Sequence, residues 1–261
     1  MIKLRNLSLP ERLKIYSETQ RLSAEGLPMM RIANRLNISY STVWFWSKRG
    51  KRPGNNFLVP DFTPSPDLSY IIGVIYGDGF LTSKWQIGLQ SNDRDFCENF
   101  AICLSKVLKR HPPPIKIYKR DNWQFYRTCL KNRCLFEYLQ DKNLHKDIID
   151  QYPAEFLRGF FDSEGDCGKS GNTIYVRVVN TNKNLLDFIR ALLQDKFGIH
   201  STISLHWRKG LLRFIRGRKV ISQIDGFKLA IYRRKDIEKY HAQIGFSIRR
   251  KREKLEQILV T

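Results

Sequence analysis

The sequence predicts an α+β protein in which a small all-helical domain precedes two similar α+β units. Two stretches with the same Gly-acid-Gly pattern occur 86 positions apart, around Asp78 and Glu164. Each is followed by a matching strand-and-helix pattern. A segment with four prolines, typical of a linker, precedes this repeated region. We therefore predict a helical domain at 1–48, a linker at 49–67, a first repeat at 68–150 and a second repeat at 151–261.

The charge balance indicates a polyanionic partner. The 261 residues carry 46 Lys and Arg against 25 Asp and Glu, a formal net charge of +21. Such an excess opposes compact folding unless a partner neutralises it, so nucleic acid is the first candidate and an anionic membrane surface the second. The longest apolar stretch falls far short of the roughly 20 residues that span a bilayer, and the N-terminus has no apolar signal segment.

The cysteines and histidines indicate neither a disulfide scaffold nor a structural zinc site. The five cysteines include no C-x-x-C pair, and the five histidines are scattered along the chain. A reducing compartment fits this usage. We therefore predict an intracellular protein, cytoplasmic or organellar, that is neither secreted nor held in a membrane.

The first 48 residues have the pattern of a helix-turn-helix DNA-binding domain. Helical spacing over 10–24, 28–36 and 40–48 predicts three helices, with Ser39 as N-cap of the third and small Ala33 at a close helix crossing. In such a unit the last helix enters the major groove and nearby basic residues meet phosphates. The predicted DNA contacts are Tyr40, Ser41, Thr42, Phe45, Lys48, Arg49, Lys51 and Arg52. The alternative is a plain helical domain whose tryptophans are core.

The stretches YIIGVIYGDGFL (70–81) and EFLRGFFDSEGD (155–166) predict two helices that pack closely together. Small residues four positions apart leave one face of each helix without bulky side chains. Glycine inside a helix costs roughly 1 kcal/mol relative to alanine, and close backbone approach is the compensation. The seam residues are Gly73, Gly77, Gly159 and Ser163. Each helix is predicted to end at a left-handed glycine, Gly79 or Gly165.

Helices paired in this way bring Asp78 and Glu164 together at one end of the seam. Two adjacent carboxylates repel each other unless one is protonated or a cation binds between them. Hard oxygen ligands suit Mg²⁺, with Mn²⁺ as a substitute. The carbonyl groups of Gly79 and Gly165, at negative helix ends, are further candidate ligands. A site of this kind predicts metal-dependent hydrolysis of a phosphodiester.

The paired stretches resemble the signature of the LAGLIDADG homing endonucleases in their single-chain, two-repeat form, over about residues 68–261. IIGVIYGDG keeps the Gly, the acid and the final Gly of the nine-letter motif, and LRGFFDSEG keeps these with Glu at the catalytic place. The resemblance implies two pseudo-symmetric repeats whose antiparallel sheets bind DNA, and a double-strand break at a long site during intron homing. It implies Asp78 and Glu164 as catalytic metal ligands, while Asp162 is interpreted as structural.

The resemblance also implies a helper polar residue and a basic residue beside the scissile phosphate in each repeat. The polar candidates are Gln90 and Asn180, and the basic candidates are Lys131 and Arg233. For the basic pair, ordinary DNA-facing or solvated charge is an equally good interpretation.

Basic tracts in both repeats predict contacts with the DNA backbone. Residues 207–235 hold ten Lys and Arg against one Asp, and apolar and basic residues tend to alternate there as on strands. Segment 115–127 is the matching tract of the first repeat. Phosphate contact is the use that such charge favours. The candidates are Lys119, Arg120, Arg208, Lys209, Arg213, Arg216, Arg218, Lys219, Lys228 and Arg234.

These patterns together predict a monomeric, metal-dependent endonuclease of double-stranded DNA, with intron RNA as a further candidate partner. The main alternative is a retired protein of the same fold that binds DNA as a regulator or assists intron splicing as a maturase. Such proteins typically lose one or both acids, and both are present here. A plain helix-turn-helix repressor would leave the doubled motif without a use.

Overall fold

The computed structural model of the chain describes residues 2, 4, 7, 9–50, 53, 59–120, 123–215 and 218–260. The chain divides into two compact units, Met1–Val59 and Pro60–Thr261. Within the described ranges, no helix has both the length and the apolar character needed to cross a bilayer.

The described residues of the first unit form three helices around one small core. They are α1 (Leu9–Ala24), α2 (Met29–Arg35) and α3 (Tyr40–Lys48), and each agrees with the sequence prediction to within one residue at either end. Asn37, at φ 51°, makes the turn between α2 and α3, and the Ser39 hydroxyl accepts a hydrogen bond from the Thr42 amide at 3.2 Å. The core residues are Leu22, Ile32, Ala33, Ile38, Val43 and Trp46.

The second unit contains one order of elements twice, as the sequence repeat predicts. The first half consists of α4 (Pro66–Tyr76), β1 (Phe80–Thr82), β2 (Gln86–Ser91), α5 (Arg94–Val107), β3 (Ile115–Arg120), β4 (Trp123–Lys131) and α6 (Arg133–Gln140). A 3-10 turn (Lys142–His145) and α7 (Lys146–Gln151) lead to the second half. It consists of α8 (Pro153–Glu164), β5 (Gly165–Ser170), β6 (Thr173–Asn180), α9 (Lys183–Phe197), β7 (Thr202–Trp207), β8 (Leu212–Ile215), β9 (Arg218–Ile221), β10 (Gly226–Ile231), α10 (Arg234–Gln243) and α11 (Arg249–Val260).

Each half folds its strands into a four-stranded antiparallel sheet. The strand orders are β1-β2-β4-β3 and β5-β6-β10-β7, which are the same order because β10 is the last strand of its repeat. Alternate residues such as Ile87, Leu89, Val176 and Val178 are fully buried, so each sheet has one covered face. Helices α5 and α9 pack against their own sheets and cover that face.

One sequence expectation about the basic tract at 207–235 needs correction. Its alternation of apolar and basic residues predicts a charged face opposite a packed one, but among the described residues β8 and β9 pair with each other in a separate two-stranded sheet. Apolar residues at this hairpin remain exposed, including Leu211, Leu212 and Ile221. The predicted linker also ends earlier than residue 67, because Ser65 caps α4 and Pro66 is its first residue.

Candidate active site

Helices α4 and α8 touch along a seam without side chains between their backbones. A Cβ added to Gly73 would lie 2.1 Å from the Phe156 carbonyl oxygen, and one added to Gly159 would lie 2.4 Å from the Tyr70 carbonyl oxygen. Real Cβ atoms do not approach backbone atoms so closely, so only glycine permits this contact. The two helices are therefore held at a separation that is set by their main chains.

The seam continues toward the end of both helices that carries the acids. A Cβ on Gly77 would lie 2.3 Å from the Ser163 Cβ and 3.3 Å from the Glu164 Cγ. The Ser163 Oγ would lie 2.8 Å from the same Cβ, and the hydroxyl donates a hydrogen bond to the Gly159 carbonyl at 3.0 Å. The structure thus brings all four predicted seam residues to the contact between α4 and α8.

The two glycines that follow the acids are not left-handed stop residues, contrary to the sequence prediction. Neither Gly79 nor Gly165 has a positive φ, because the chain passes almost directly from each helix into a strand. Glycine is needed there for space instead. A Cβ would lie 2.9 Å from the Val74 carbonyl oxygen at Gly79 and 2.3 Å from the Phe161 carbonyl oxygen at Gly165.

The carboxylates of Asp78 and Glu164 interact electrostatically at this end of the seam. Burial, and after it the negative charge of Asp78, raise the pKa of Glu164 to about 7. Burial also raises the pKa of Asp78, although this residue lies at the exposed opening of the site. The positive charge of Lys251 opposes both shifts in pKa. Two partly desolvated carboxylates therefore share one site that solvent can reach.

The donor set at this site suits a hard divalent cation. Carboxylate and carbonyl oxygens are the ligands that such cations prefer, and a cation would relieve the repulsion that raises the pKa of Glu164. Among the described residues, no three or more His, Cys, Asp and Glu side chains form a group that could hold a metal ion by itself. Two acids alone do not complete a coordination shell. The adjacent carbonyls of Gly79 and Gly165, water and an anionic substrate are the remaining oxygen sources.

The two predicted polar helpers differ in their surroundings. Asn180 lies at the end of β6, where its amide nitrogen donates a hydrogen bond to Glu164 Oε1 at 3.2 Å. Its own Oδ1 accepts from the amide of Asn182 at 2.9 Å, which fixes the side-chain orientation. Gln90 is exposed on β2, directly opposite Arg127 of β4. Asn180 is therefore the helper that directly contacts an acid.

The strand register places the predicted basic residues, Lys131 and Arg233, away from the acids. Lys131 lies opposite Gln86, four rows along β2 from Gln90, a separation of roughly 13 Å at the usual rise of a strand. Arg233 follows the end of β10 at Ile231 and caps α10. Aligning the strands by sequence cannot show that these two residues lie far from the acids. The distance depends on which residues of the neighbouring strand they pair with, and the sequence does not give that pairing.

Two other basic residues lie level with the acids. Arg127 is opposite Gln90 in β2, and Lys228 is opposite Val179 in β6. Extending the pairing of β1 with β2 by two residues places Asp78 opposite Gln90. Extending the pairing of β5 with β6 by one residue places Glu164 opposite Val179. Arg127 lies 4.8 Å from the centre of the Phe80 ring, and its buried Nε has no hydrogen-bond partner among the described residues. Lys228 was predicted as a DNA contact, whereas Arg127 was missed.

Asp162, which precedes Glu164 by two positions in the second motif, is part of a buried network. Its carboxylate accepts hydrogen bonds from the Tyr70 hydroxyl at 2.8 Å, the Ser247 amide at 3.0 Å and the Ser247 hydroxyl. Its backbone carbonyl accepts a hydrogen bond from the ammonium of Lys251. Every hydrogen-bonding direction of the carboxylate is thus turned into the protein, consistent with a structural role.

The predicted contacts of α3 lie mostly on its exposed side. Tyr40 is 47% exposed and Phe45 is 44% exposed, whereas Val43 and Trp46 are buried in the core. Ser41, Lys48 and Arg49 are exposed and Thr42 is half-buried. The predictions for Lys51 and Arg52 lie outside the described residues.

The basic residues predicted to contact DNA in the two repeats differ in their solvent exposure and in whether they bond within the protein. Lys119, Arg208, Lys209 and Lys219 are exposed, and Lys228 is half-buried. Arg234 is engaged within the protein, because its guanidinium bonds to Glu238 and to the Leu259 carbonyl. Arg216 lies outside the described residues, as do the side chains of Arg120, Arg213 and Arg218.

We expect the substitution Glu164→Gln to stabilise the metal-free protein at alkaline pH. The pKa of Glu164 is about 7 in the folded state, above its unfolded value of roughly 4.5, so ionisation favours unfolding as pH rises through this interval. The cost at pH 8 is at most about 3 kcal/mol, reduced by solvent at the half-open site. Gln removes this cost, and its oxygen still accepts the Asn180 hydrogen bond.

Urea unfolding in EDTA at pH 5 and pH 8 measures this effect. The stabilisation should be present at pH 8 and shrink toward pH 5. Exposed Glu256 on α11 provides the control, because Glu256→Gln should not change stability in a pH-dependent way. An unfolding free energy at pH 8 no higher than that of the wild type would contradict the assignment of a desolvated, repelled carboxylate.

Comparison with known proteins identifies relatives of the whole chain. The uncharacterized protein MJ0398 of Methanocaldococcus jannaschii is 31% identical over 99% of this chain and 98% of its own length. A family model described as a LAGLIDADG-like domain matches residues 151–245. The chain belongs to the LAGLIDADG family. The residues that the family model matches include the second seam helix, α8, with Glu164 at its end.

Two solved structures are similar to part of this chain. The structure of I-DmoI in complex with DNA and Ca covers 74% of this chain and 97% of its own chain, with a TM-score of 0.50 and 18% identity. Full-length DUF199/WhiA from Thermatoga maritima covers 78% of this chain and 64% of its own, with a TM-score of 0.49 and 20% identity. The first of these likenesses supports a LAGLIDADG fold with two antiparallel sheets.

Proposed function

We propose that this protein is a site-specific endonuclease that cuts both strands of double-stranded DNA by divalent-metal-dependent hydrolysis. The observation that carries the proposal is the convergence of Asp78 and Glu164 at the open end of a glycine seam. The repulsion and desolvation that raise the pKa of Glu164 to about 7 are costs that a cation at the site would remove. A family member without chemistry has no need to retain both acids in this arrangement.

Mg²⁺ or Mn²⁺ bound at the acids would polarise a phosphodiester, generate a nucleophilic water and stabilise the leaving oxygen. The chain supplies the positioning. Asp78 and Glu164 are the metal ligands, with the carbonyls of Gly79 and Gly165 as neighbouring donors. Asn180 orients the Glu164 carboxylate through its hydrogen bond at 3.2 Å. Gln90 remains the polar candidate of the first repeat for ordering solvent.

Arg127 and Lys228 are the basic residues that we assign to the phosphates next to the acids. Each occupies the same position in its repeat, on the face of the sheet that the helices leave open. The Arg127 guanidinium lies beside Phe80 on that face, and a guanidinium is a group that pairs well with a phosphate. This assignment replaces Lys131 and Arg233, which remain candidates for contacts farther along the duplex.

The surface beyond the acids supports double-stranded DNA as the substrate. Lys119, Arg208, Lys209 and Lys219 are exposed along the sheets and the β8–β9 hairpin, and the net charge of +21 favours binding of a polyanion. Phosphate contacts of this kind set the position of a protein on DNA and strengthen binding without reading sequence. We propose that the protein acts as a monomer, because one chain carries both acids.

We further propose that residues 1–48 form a helix-turn-helix domain that lengthens the DNA site. Removing the first unit, residues 1–59, should therefore weaken DNA binding by about tenfold or more, because its contacts with base edges and phosphates are lost. Cleavage at saturating protein should be unchanged, because both acids lie in the second unit. Fluorescence anisotropy in Ca²⁺ measures binding, and single-turnover cleavage in Mg²⁺ measures the chemistry.

Point substitutions provide a matched control for this deletion. Tyr40→Ala removes a predicted base contact that is 47% exposed, whereas Met30→Ala removes a similarly exposed apolar side chain of α2. Only the first should weaken binding. Loss of cleavage by the shortened protein at saturating concentration would contradict the separation of binding and chemistry.

Cleavage of a randomised duplex library in Mg²⁺, followed by sequencing of the ends, tests the function itself. Recovery of one long sequence cut on both strands supports the proposal. Tight binding to a specific sequence without cutting in Mg²⁺ or Mn²⁺ would instead favour the alternative of a DNA-binding regulator. Cleavage-independent binding of a structured intron RNA would favour a maturase.

A further inference from the structure

The terminal helix α11 places a buried lysine beneath the end of the second motif helix. Lys251 is only 8% exposed. Its ammonium donates hydrogen bonds to the carbonyl of Asp162 at 2.5 Å and to that of Phe161 at 3.3 Å. The last carbonyls of a helix lack intrahelical partners, and lysine is a residue that can bond to them. Lys251 therefore supports the turn of α8 that carries Glu164.

Several negative groups face this ammonium from the elements around it. Asp162 of α8, Asp78 after α4 and Asp93 before α5 all act on it electrostatically, and Arg250 beside it on α11 acts in the opposite sense. Its charge acts in turn on both acids of the candidate site. Lys251 is thus coupled to both motif acids, although it lies beyond the matched family domain, which ends at residue 245.

The terminal helix is fixed in this position by contacts with both repeats. Arg250 forms two hydrogen bonds with Asp93 of the first repeat, at 3.0 and 2.9 Å. Lys254 donates to Asp166 on β5 of the second repeat at 3.2 Å. The Cys167 thiol reaches the Lys251 carbonyl at 3.5 Å. The Lys251 ammonium is therefore held at the end of α8, because α11 itself is fixed by contacts with both repeats.

We propose that Lys251 is a positioning residue for the acid pair: by holding the last turn of α8 through two carbonyl groups, it sets the place of the Glu164 carboxylate relative to Asp78. The proposal rests on the proposed nuclease function and deepens it. Under this proposal α11 positions Glu164 through Lys251, although the helix contributes no group that touches the substrate. A displacement of reacting groups by about 1 Å costs up to roughly a hundredfold in rate.

A purely structural role for Lys251 makes a different prediction. In that case the ammonium only balances the buried charge of Asp162, which is 1% exposed. Removing both charges together would then restore both the stability and the cleavage rate that the loss of Lys251 lowers, because a neutral pair carries no uncompensated buried charge. The positioning role predicts that the double variant recovers stability but still cleaves slowly, because the carbonyl groups next to Glu164 have lost their hydrogen bonds with Lys251.

The test compares Lys251→Met, Asp162→Asn and the double variant in the full-length chain, with Arg250→Met as the control for anchoring of α11. Each variant is measured for unfolding by urea, for DNA affinity in Ca²⁺ and for single-turnover cleavage of the selected site in Mg²⁺. Lys251→Met should lower the cleavage rate by roughly 10- to 100-fold and leave DNA affinity within about threefold of the wild type. Arg250→Met removes one anchor of α11 but keeps the Lys254 anchor and both carbonyl bonds of Lys251, so it should retain the wild-type cleavage rate within about threefold.

The double variant decides between the two roles. We expect it to recover stability while its cleavage rate stays well below that of Asp162→Asn. Equal rates for the double variant and Asp162→Asn would overturn the proposal. If Lys251→Met does not fold, Lys251→Gln, which keeps an uncharged NH₂ donor group on a shorter side chain, takes its place in the same cycle. Failure of the wild type to cut any sequence overturns the nuclease function itself, whereas normal cutting by Lys251→Met overturns only the role of Lys251.

Discussion

Asp78→Asn and Glu164→Gln are each expected to reduce double-strand cleavage by roughly 10³-fold or more. Each substitution removes a charged metal ligand, and the charge stabilisation that a bound metal supplies to a phosphoryl transition state amounts to several kcal/mol, which corresponds to this factor in rate. The amides are nearly isosteric, and the helix seam should be unchanged because Gln keeps the Cγ that lies near Gly77, and the contacts of Gly73 and Gly159 are with backbone atoms. DNA affinity should therefore remain close to that of the wild type.

Single-turnover assays with a supercoiled plasmid separate nicked from linear product in this experiment. Accumulation of a nicked intermediate by one variant would show that each acid serves its own strand, and loss of both products would show that the acids act as one site. Asp166→Asn is the matched control, because Asp166 lies two residues after Glu164 yet pairs with Arg177 at 3.3 Å. Full Mg²⁺-dependent cutting by either active-site variant would exclude the acid pair as the metal site.

The doubled architecture could be predicted from sequence because it depends on local patterns that occur twice. Strand and helix periodicity after each motif predicts the order of elements, and the small residues around Gly73 and Gly159 predict the contact between the two helices. Both signals involve residues a few positions apart. The helix ends were less predictable. A glycine after a helix is usually left-handed, but here each chain segment enters a strand at once and the glycine provides space instead.

The basic residues beside the acids could not be assigned from sequence alone because their positions depend on strand register. Shifting a strand by four residues moves a side chain by roughly 13 Å, and that is the difference between Lys131 and Arg127. Both residues lie in one strand and carry the same charge. The pairing of β2 with β4 distinguishes Arg127 from Lys131, because Arg127 lies opposite Gln90 and Lys131 lies opposite Gln86. That pairing is known only from the fold.

Lys251 illustrates a second limit of the sequence. It lies 87 positions after Glu164 in a helix whose other basic residues are exposed or ion-paired at the surface, so the pattern RRKREK predicts only a solvated helix. Its burial results from the packing of α11 beside β5 and under the end of α8. Contacts of such long range leave no periodic signal, and a lysine is normally expected at the surface.

Gly73→Ala is expected to destabilise the second unit by at least about 3 kcal/mol, although alanine is the better helix former by roughly 1 kcal/mol. The added Cβ would lie 2.1 Å from the Phe156 carbonyl oxygen, and a backbone atom cannot move aside as a flexible side chain can. The helices must separate, which opens the core around them. The same separation moves Asp78 away from Glu164, so cleavage should be lost even at temperatures where the variant remains folded.

Gly171→Ala provides the control for this substitution. Gly171 lies in the hairpin between β5 and β6 at φ 57°, where an added Cβ meets nothing within 4 Å. Its cost is therefore backbone strain alone, about 1–2 kcal/mol, with no effect on the acids. Urea unfolding monitored by tryptophan fluorescence measures both variants. A smaller loss of stability for Gly73→Ala than for Gly171→Ala would mean that the helices do not pack backbone to backbone, and the acid pair would lose the contact that brings its members together.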